Sequence, residues 1–173
     1  MPDPRSPEDQ LQPALLDRLT DEEPEQKLEP RAQRVISKRQ LRQAVLRDLA
    51  WLLNSTRLDA NMDAAVFPLA RRSVINYGLP ALSGETATSI EVSDLERGIR
   101  QAILDYEPRL LASSLRVKAI EVGEFENHNV IGIEISGQLW AQPIPIDLLV
   151  RTEIDLETGK VEIADVAETR ASP

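Results

Sequence analysis

Apolar residues recur with a helical period in the middle of the chain, between Ser93 and Leu110. Ser93 suits a helix N-cap, and Glu96 stands three residues later, where the carboxylate of a capping box belongs. Pro108 disfavours helical geometry at Glu107, so the predicted helix ends there. Its apolar face comprises Leu95, Ile99, Ala102, Ile103 and Tyr106, spaced for a period of 3.6 residues.

Two further helices are predicted upstream of this stretch. The first runs from Ser37 to about Asn54, with Ser37 and Gln40 in a capping-box pattern. The second covers about 64–76, and Gly78 follows it as a residue able to adopt the left-handed conformation that closes a helix. The predicted apolar face of this second helix comprises Phe67, Ala70, Val74 and Tyr77, and it is widened by Val66, Leu69 and Ser73.

After Leu110 the apolar period changes from 3.6 to 2, which is typical of half-buried strands. A phase slip at Ala119 and Ile120 predicts a β-bulge in the first strand. Thr158 and Gly159 form a predicted hairpin turn before the last strand. Pro143 and Pro145 cannot donate to a ladder, so that connection should be a sheet edge or a bent crossover. The predicted strands cover 115–122, 131–139, 146–156 and 160–166.

These patterns predict an α+β fold with about three helices packed on one face of a four-stranded antiparallel sheet. Residues 1–36 are rich in proline and charge, so they are predicted to form an extended N-terminal arm, followed by a domain at 37–168 and a tail at 169–173. Leu15, Leu16 and Leu19 form a short apolar stripe within the arm. The stripe could dock as a helix in a partner's groove or pack back on its own domain.

The net charge of −9 is spread unevenly, with acidic ends and a basic stretch at 31–47. This distribution argues against broad nucleic-acid binding, which requires a basic face. The basic residues Arg31, Arg34, Lys38, Arg39, Arg42 and Arg47 either pair with acids of this chain or contact an acidic partner. The sequence has no cysteine, no apolar run long enough for a membrane span and no secretory signal, so a cytoplasmic location is expected.

Residues suited to catalysis are scarce. His128 is the single histidine and falls in a polar turn, where it has no second ligand at a metal-binding spacing. No cysteine nucleophile, serine-hydrolase elbow or phosphate-binding glycine loop is present. Glu107 is the strongest catalytic candidate, although an ion pair with Arg109 is the simpler interpretation. No catalytic residue, metal ligand or cofactor is therefore predicted.

Several motifs together resemble the TssE family, the baseplate subunits of the bacterial type VI secretion system. The same fold group includes the wedge protein of contractile phage baseplates, long described as lysozyme-like. The motifs are LLDRLTD at 15–21, RDLAWLLN at 47–54, SVINYGLP at 73–80, IRQAILDYEPRL at 99–110 and RTEIDLETGKV at 151–161. The resemblance extends from Leu15 to about Val166.

The resemblance implies a structural subunit that lies in the baseplate wedge, contacts TssF- and TssG-type subunits, with a TssK-type subunit as a further candidate, and connects to the sheath. It implies no cofactor, no nucleic acid and no membrane insertion. Partner-binding residues carried over are Leu15, Leu16 and Leu19 in the arm, and Glu107, Pro108, Arg109 and Leu110 in the helix-exit turn. Two alternatives remain, a peptidoglycan hydrolase that would depend on Glu107 and a small regulatory anti-adaptor.

Overall fold

The computed structural model describes residues 14–19, 36–58, 66–82, 91–120, 130–141 and 144–166. His128, Pro143, most of the predicted arm and the predicted tail lie outside these ranges. Within them the chain forms four α-helices, one 3-10 turn and four strands. In chain order these are α1 (Leu15–Leu19), α2 (Lys38–Leu53), α3 (Pro68–Arg71), the 3-10 turn Val74–Asn76, α4 (Val92–Tyr106), β1 (Arg116–Ile120), β2 (Val130–Leu139), β3 (Ile146–Asp155) and β4 (Val161–Asp165).

The four strands form one sheet in the order β1-β2-β3-β4, and every neighbouring pair is antiparallel, which confirms the predicted sheet and the α+β class. Alternate residues of β2 and β3 are buried, as their period of two predicted. Thr152 is the polar exception on the buried face of β3, and its hydroxyl donates to Ile133 O at 3.2 Å. That hydrogen bond offsets the cost of burying the hydroxyl.

The hydrophobic core combines residues of both long helices with the buried positions of the sheet. Leu49 of α2 and Ile103 of α4 are completely buried, as are Ile133 and Ile135 of β2 and Val150 of β3. Burial of such side chains contributes roughly 1.5–3 kcal/mol each. Each long helix is therefore positioned on the sheet by the burial of its apolar face.

Helix α2 begins at the predicted capping box. Gln40 N–H donates to Ser37 Oγ at 3.2 Å, and Ser37 N–H donates to Gln40 Oε1 at 2.8 Å. Asn54 ends the helix, and its side-chain amide donates to Ala50 O at 2.9 Å. The same amide also pairs with the main chain of Val161 in β4, as described below.

The predicted start of α4 is wrong, both in its position and in the nature of its cap. The helix begins at Val92 after Glu91, with no side-chain cap, so Ser93 lies inside the first turn. The Glu96 carboxylate does not fold back on the helix, because it accepts from Ala119 N–H of β1 at 2.7 Å. An edge-strand N–H competes successfully for a carboxylate that a capping box would otherwise hold. The predicted end at Glu107 is confirmed.

The predicted second helix is also wrong. Residues 66–76 form the four-residue helix α3 and a separate 3-10 turn. Pro68 has no N–H and its ring excludes it from a helix interior, so it can only begin a helix. The Ser73 hydroxyl then donates to Ala70 O at 2.8 Å, at the point where α3 has ended. Of the predicted apolar face, Phe67 and Val74 are exposed.

The predicted β-bulge is absent from the described part of β1. Ala119 pairs with Ile133 and Ile120 pairs with Gly132 in an uninterrupted register. Both Ala119 and Ile120 are half-buried. The apparent phase slip therefore reflects two partly covered residues at the strand end, which needs no inserted residue.

Gly78 joins the segment after the 3-10 turn to the end of α2. Leu79 N–H donates to Ser55 O at 2.8 Å, and Arg57 N–H donates to Leu79 O at 2.8 Å. Gly78 has a φ of +119°, and a Cβ built there would lie 2.1 Å from Ser55 O. The position therefore requires glycine for both its conformation and its close approach.

We predict that Gly78→Ala lowers the free energy of unfolding by about 2–5 kcal/mol, because it adds backbone strain and a main-chain clash. Gly98→Ala is the matched control, since Gly98 lies in α4 with no atom within 4 Å of the added Cβ. That control should be neutral or stabilise the fold by up to about 1 kcal/mol. Urea unfolding measures both variants, and equal stability of the two would contradict the account.

Candidate functional site

The stretch Glu107-Pro108-Arg109-Leu110 forms the turn by which the chain leaves α4. Leu110 N–H donates to Glu107 O at 3.2 Å, which closes a β-turn with Pro108 at its second position. Proline suits that position because its fixed φ matches the turn. Leu110 then forms an antiparallel bridge with Leu139 of β2. The turn thereby attaches the end of α4 directly to the sheet.

Arg109 holds the turn through two carboxylates. Its Nε lies 2.6 Å from Glu107 Oε1, and its Nη2 lies 2.5 Å from Glu107 Oε2 and 2.5 Å from Asp48 Oδ2. The Arg109 main-chain N–H also donates to Glu107 Oε1 at 3.1 Å. Glu107 is only 4% exposed. Because Asp48 lies on α2, one guanidinium links the exit of α4 to the first long helix.

The surroundings of Arg109 keep it charged. Burial alone would lower the pKa of Arg109, but hydrogen bonds and charges from Glu107 and Asp48 outweigh it and raise the pKa overall. Such a charge-assisted, two-point contact is among the stronger polar interactions in proteins. The ion pair between Glu107 and Arg109, offered from sequence as the simpler interpretation, is confirmed.

The ion pairs continue from Asp48 to the surface. Arg47 Nε donates to Asp48 Oδ1 at 2.9 Å, and Arg47 Nη1 donates to Asp17 Oδ1 of α1 at 2.6 Å. The Arg47 guanidinium also lies 5.1 Å from the centre of the Trp51 ring. The hydrogen bond that Arg47 donates to Asp17 is the largest of the effects that raise the pKa of Arg47. We call the set Glu107, Arg109, Asp48, Arg47 and Asp17 the ion-pair chain.

Tyr77 packs beside the buried end of the ion-pair chain. Its ring meets Tyr106 of α4 edge-on at a centroid distance of 5.2 Å, and its hydroxyl donates to Asp48 O at 3.4 Å. Burial raises the pKa of Tyr77 first, and the charges of Asp48 and Glu107 add to this effect. The hydroxyl therefore stays neutral, as a donor requires.

The structure thus brings together four motifs that are far apart in sequence. The stretch at 15–21 supplies Asp17, and the stretch at 47–54 supplies Arg47 and Asp48. The stretch at 73–80 supplies Tyr77, and the stretch at 99–110 supplies Glu107 and Arg109. The sequence analysis selected Glu107 and Arg109 but missed the contributions of Asp17, Arg47 and Asp48. These three residues lie inside motifs that the sequence analysis identified, and that position is the sequence signal that could have pointed to them.

The three leucines of α1 expose apolar surface. Leu15 and Leu19 are 71% and 73% exposed, and Leu16 is also exposed. The described link between α1 and the domain is polar, through Asp17 and Arg47. Of the four residues in the exit turn, Glu107 and Leu110 are buried, Arg109 is half-buried and Pro108 is exposed.

Helix side chains occupy main-chain groups on both outer strands of the sheet. Glu96 of α4 accepts from Ala119 N–H of β1. On β4, Val161 N–H donates to Asn54 Oδ1 at 3.0 Å, and Asn54 Nδ2 donates to Val161 O at 2.9 Å. Arg42 of α2 also pairs with Asp165 at the far end of β4. Edges guarded in this way are less prone to unspecific pairing.

The basic stretch is engaged in part by acids of this chain. Arg42 pairs with Asp165 at 2.5 Å and also donates to Asp147 O at 2.7 Å, while Arg47 pairs with Asp17 and Asp48. Lys38 and Arg39 are exposed. Arg31 and Arg34 lie outside the described residues.

The described ranges contain no group of three His, Cys, Asp or Glu side chains placed to hold a metal ion. In the same ranges, no helix combines the length and apolar character that crossing a membrane would require. Both oxygens of Glu107 contact Arg109. The site is therefore suited to holding elements together.

The family model described as baseplate wedge protein gp25 matches residues 39–144, more than half of the chain. The match includes α2, α4, β1, β2 and the exit turn with Asp48, Glu107 and Arg109. Neither a curated protein nor a solved structure matches this chain.

We predict that Arg109→Met lowers the free energy of unfolding by about 3 kcal/mol, because it leaves the buried Glu107 carboxylate without its cation. Arg97→Met is the matched control, since Arg97 pairs with Asp94 on the exposed side of α4. The control should change stability by less than about 0.5 kcal/mol. Chemical denaturation distinguishes the two, and a loss below about 1 kcal/mol for Arg109→Met would contradict a structural role for this pair.

Proposed function

Since the chain belongs to the gp25 family of baseplate wedge proteins, we propose that it is a structural baseplate subunit of a type VI secretion system. In this role it links the baseplate wedge to the contractile sheath and supports sheath assembly. The observation that carries the proposal is the convergence of four motifs on the ion-pair chain. These residues fasten α1, α2 and α4 to one another, and the same motifs resemble the TssE family.

The leucines of α1 are the first proposed contact with other baseplate subunits. Leu15, Leu16 and Leu19 expose apolar surface, while Asp17 on the same helix pairs with Arg47. A helix held by its polar side and apolar on the other is suited to entering a hydrophobic groove. We assign this groove to a TssF- or TssG-type subunit, with a TssK-type subunit as a further partner.

The exit turn is the second proposed contact. Glu107 and Leu110 are buried and act within the fold, where they fix the position of the exposed Pro108 and the half-buried Arg109. A partner that meets the turn would therefore contact Pro108 and the outer part of Arg109. These groups are held in fixed positions because the Arg109 guanidinium contacts the carboxylates of both Glu107 and Asp48.

The outer edge of β1 is the proposed connection to the sheath. On β4, Asn54 occupies both the N–H and the C=O of Val161, and α2 also pairs with Asp165. On β1, by contrast, the contact from a helix is made by the Glu96 carboxylate, which accepts from Ala119 N–H. Because outward-facing residues alternate along an edge strand, Val117 also presents its N–H and C=O outward. An added strand from a sheath subunit would pair with these groups.

This function needs no catalytic group, and we propose that the chain is not an enzyme and acts in the cytoplasm. A peptidoglycan hydrolase of this kind would need two carboxylates facing a substrate cleft. Glu107 instead directs both oxygens at Arg109. Turnover of peptidoglycan by the purified chain, abolished by Glu107→Gln, would support the hydrolase alternative.

We predict that Leu15→Asp combined with Leu19→Asp releases other baseplate subunits from the tagged chain, because charges in the stripe cannot enter an apolar groove. Retention from native cell extract, measured by mass spectrometry, should fall at least tenfold while the melting temperature stays unchanged. Leu58→Asp is the control, since Leu58 is an exposed leucine outside α1. Full retention by the double variant would exclude the stripe as a contact.

We predict that Val117→Pro prevents sheath subunits from copurifying, because it removes an outward N–H from β1 without removing a donor to β2. Ile163→Pro is the control for the lost outward N–H, since Ile163 occupies the equivalent outward position on β4, although its side chain is less buried than that of Val117. Circular dichroism first verifies that both variants fold. Loss of sheath subunits with Ile163→Pro alone would place the connection on the opposite edge.

A further inference from the structure

The segment around α3 exposes more large apolar surface than any comparable stretch in the described part of the chain. Leu69 is 86% exposed and Val74 is 85% exposed. Three neighbours, Val66, Phe67 and Ile75, are also exposed. Scattered exposed apolar side chains are ordinary, but a cluster of this kind marks an interaction surface.

A cleft of about 350 Å³ lies beside this segment and reaches α4. Ala102 and Tyr106 of α4 line it, together with Pro68 at the start of α3. Tyr106 is held in place because its hydroxyl donates to Ser73 O at 2.8 Å. Burial, and then the charge of Asp105, raise the pKa of Tyr106, so the hydroxyl remains a neutral donor.

Asn76 supplies an unused polar group in this cleft. The side chain is 3% exposed, and its Nδ2 donates to Arg71 O at 2.9 Å. Its Oδ1 is buried and has no hydrogen-bond partner among the residues that the structure describes. A buried acceptor without a donor is costly, so its presence in a lined cleft points to a donor brought by a ligand.

The charge of the cleft defines the ligand further. Among the described residues that line it, Arg57, Arg71 and Arg72 are basic and Asp105 is acidic. Arg72 Nε pairs with Asp105 at 3.0 Å. Arg71 therefore places a cation at the cleft of a chain whose net charge is −9, and this cation favours a negatively charged ligand.

We propose that α3, the 3-10 turn and this cleft bind an acidic, apolar segment of another baseplate subunit. Its apolar side chains would cover Leu69 and Val74, its carboxylate would pair with Arg71, and a main-chain N–H would donate to Asn76 Oδ1. This site is separate from the leucines of α1, the exit turn and the β1 edge. The inference rests on the proposed function, because it assigns the occupant to the same assembly.

The first test introduces a reactive amine into the cleft. Arg71→Lys keeps the charge, and a zero-length carbodiimide reagent then joins the introduced side-chain amine to a carboxylate in direct contact. Complexes are isolated from native extract with the tagged full-length variant, treated and analysed by mass spectrometry. The expected product links position 71 to an Asp or Glu of another baseplate subunit, within a segment that also carries apolar residues.

Arg100→Lys is the control, because Arg100 is exposed on α4 and does not line the cleft. It should give at least tenfold less of the same linked peptide. Links from position 71 only to this chain, or only to a second copy of it, would overturn the proposal. Equal yields at positions 71 and 100 would also overturn it.

The second test removes the apolar part of the surface. Leu69→Asp combined with Val74→Asp should reduce retention of the linked subunit at least tenfold, while the melting temperature stays unchanged because both side chains are exposed. Leu58→Asp again serves as the control. If the wild-type chain retains baseplate subunits and the double variant retains them equally, this inference fails and the proposed function stands. If the wild-type chain retains none, both fail.

Discussion

The contact of Arg109 with Glu107 and Asp48 is the constraint on which the rest of the structure depends. It joins the exit of α4 to α2, while the next residue, Leu110, pairs with β2. The helices and the sheet are therefore tied at one point by a partly buried, charge-assisted contact as well as by their apolar faces. Apolar packing supplies most of the stability, but it is tolerant of small shifts, whereas a two-carboxylate contact fixes position and orientation.

This arrangement suits a part that must present several surfaces in fixed relation to one another. From Asp48 the ion pairs lead to Arg47 and then to Asp17, so α1 is held on the same scaffold. In the assembly we propose, the contact surfaces are the leucines of α1, the exit turn, the edge of β1 and the cleft beside α3. Membership in the gp25 family of baseplate wedge proteins accords with a molecule in which the ion-pair chain joins α1, α2 and α4.

The sequence was sufficient where a local pattern determines the structure. Ser37 with Gln40, the alternation in β2 and β3, and Pro108 after α4 each act within a few residues, and each prediction is confirmed. The structure departs from the predictions where a distant group competes with a local contact, or where a proline interrupts a helical pattern. Glu96 leaves its predicted cap for Ala119 N–H on β1, and Pro68 divides a stretch that was predicted to be one helix.

The site was partly predictable for the same reason. Glu107 and Arg109 are two residues apart, so their pairing follows from the turn itself. Asp48 lies 61 residues from Arg109 in sequence, and only the folded structure shows that the two meet. The sequence did not predict that Leu69 and Val74 are exposed. The single helix predicted there would have placed both residues on its buried apolar face, whereas both are exposed in the structure.

The most direct test of the central claim is a double-mutant cycle between Asp48→Asn and Arg109→Met, measured by urea unfolding. If Arg109 joins α2 to the exit turn through Asp48, the two effects will be coupled by about 1–3 kcal/mol. Additive effects within about 0.5 kcal/mol would show that the contact contributes nothing of its own, and would contradict the account.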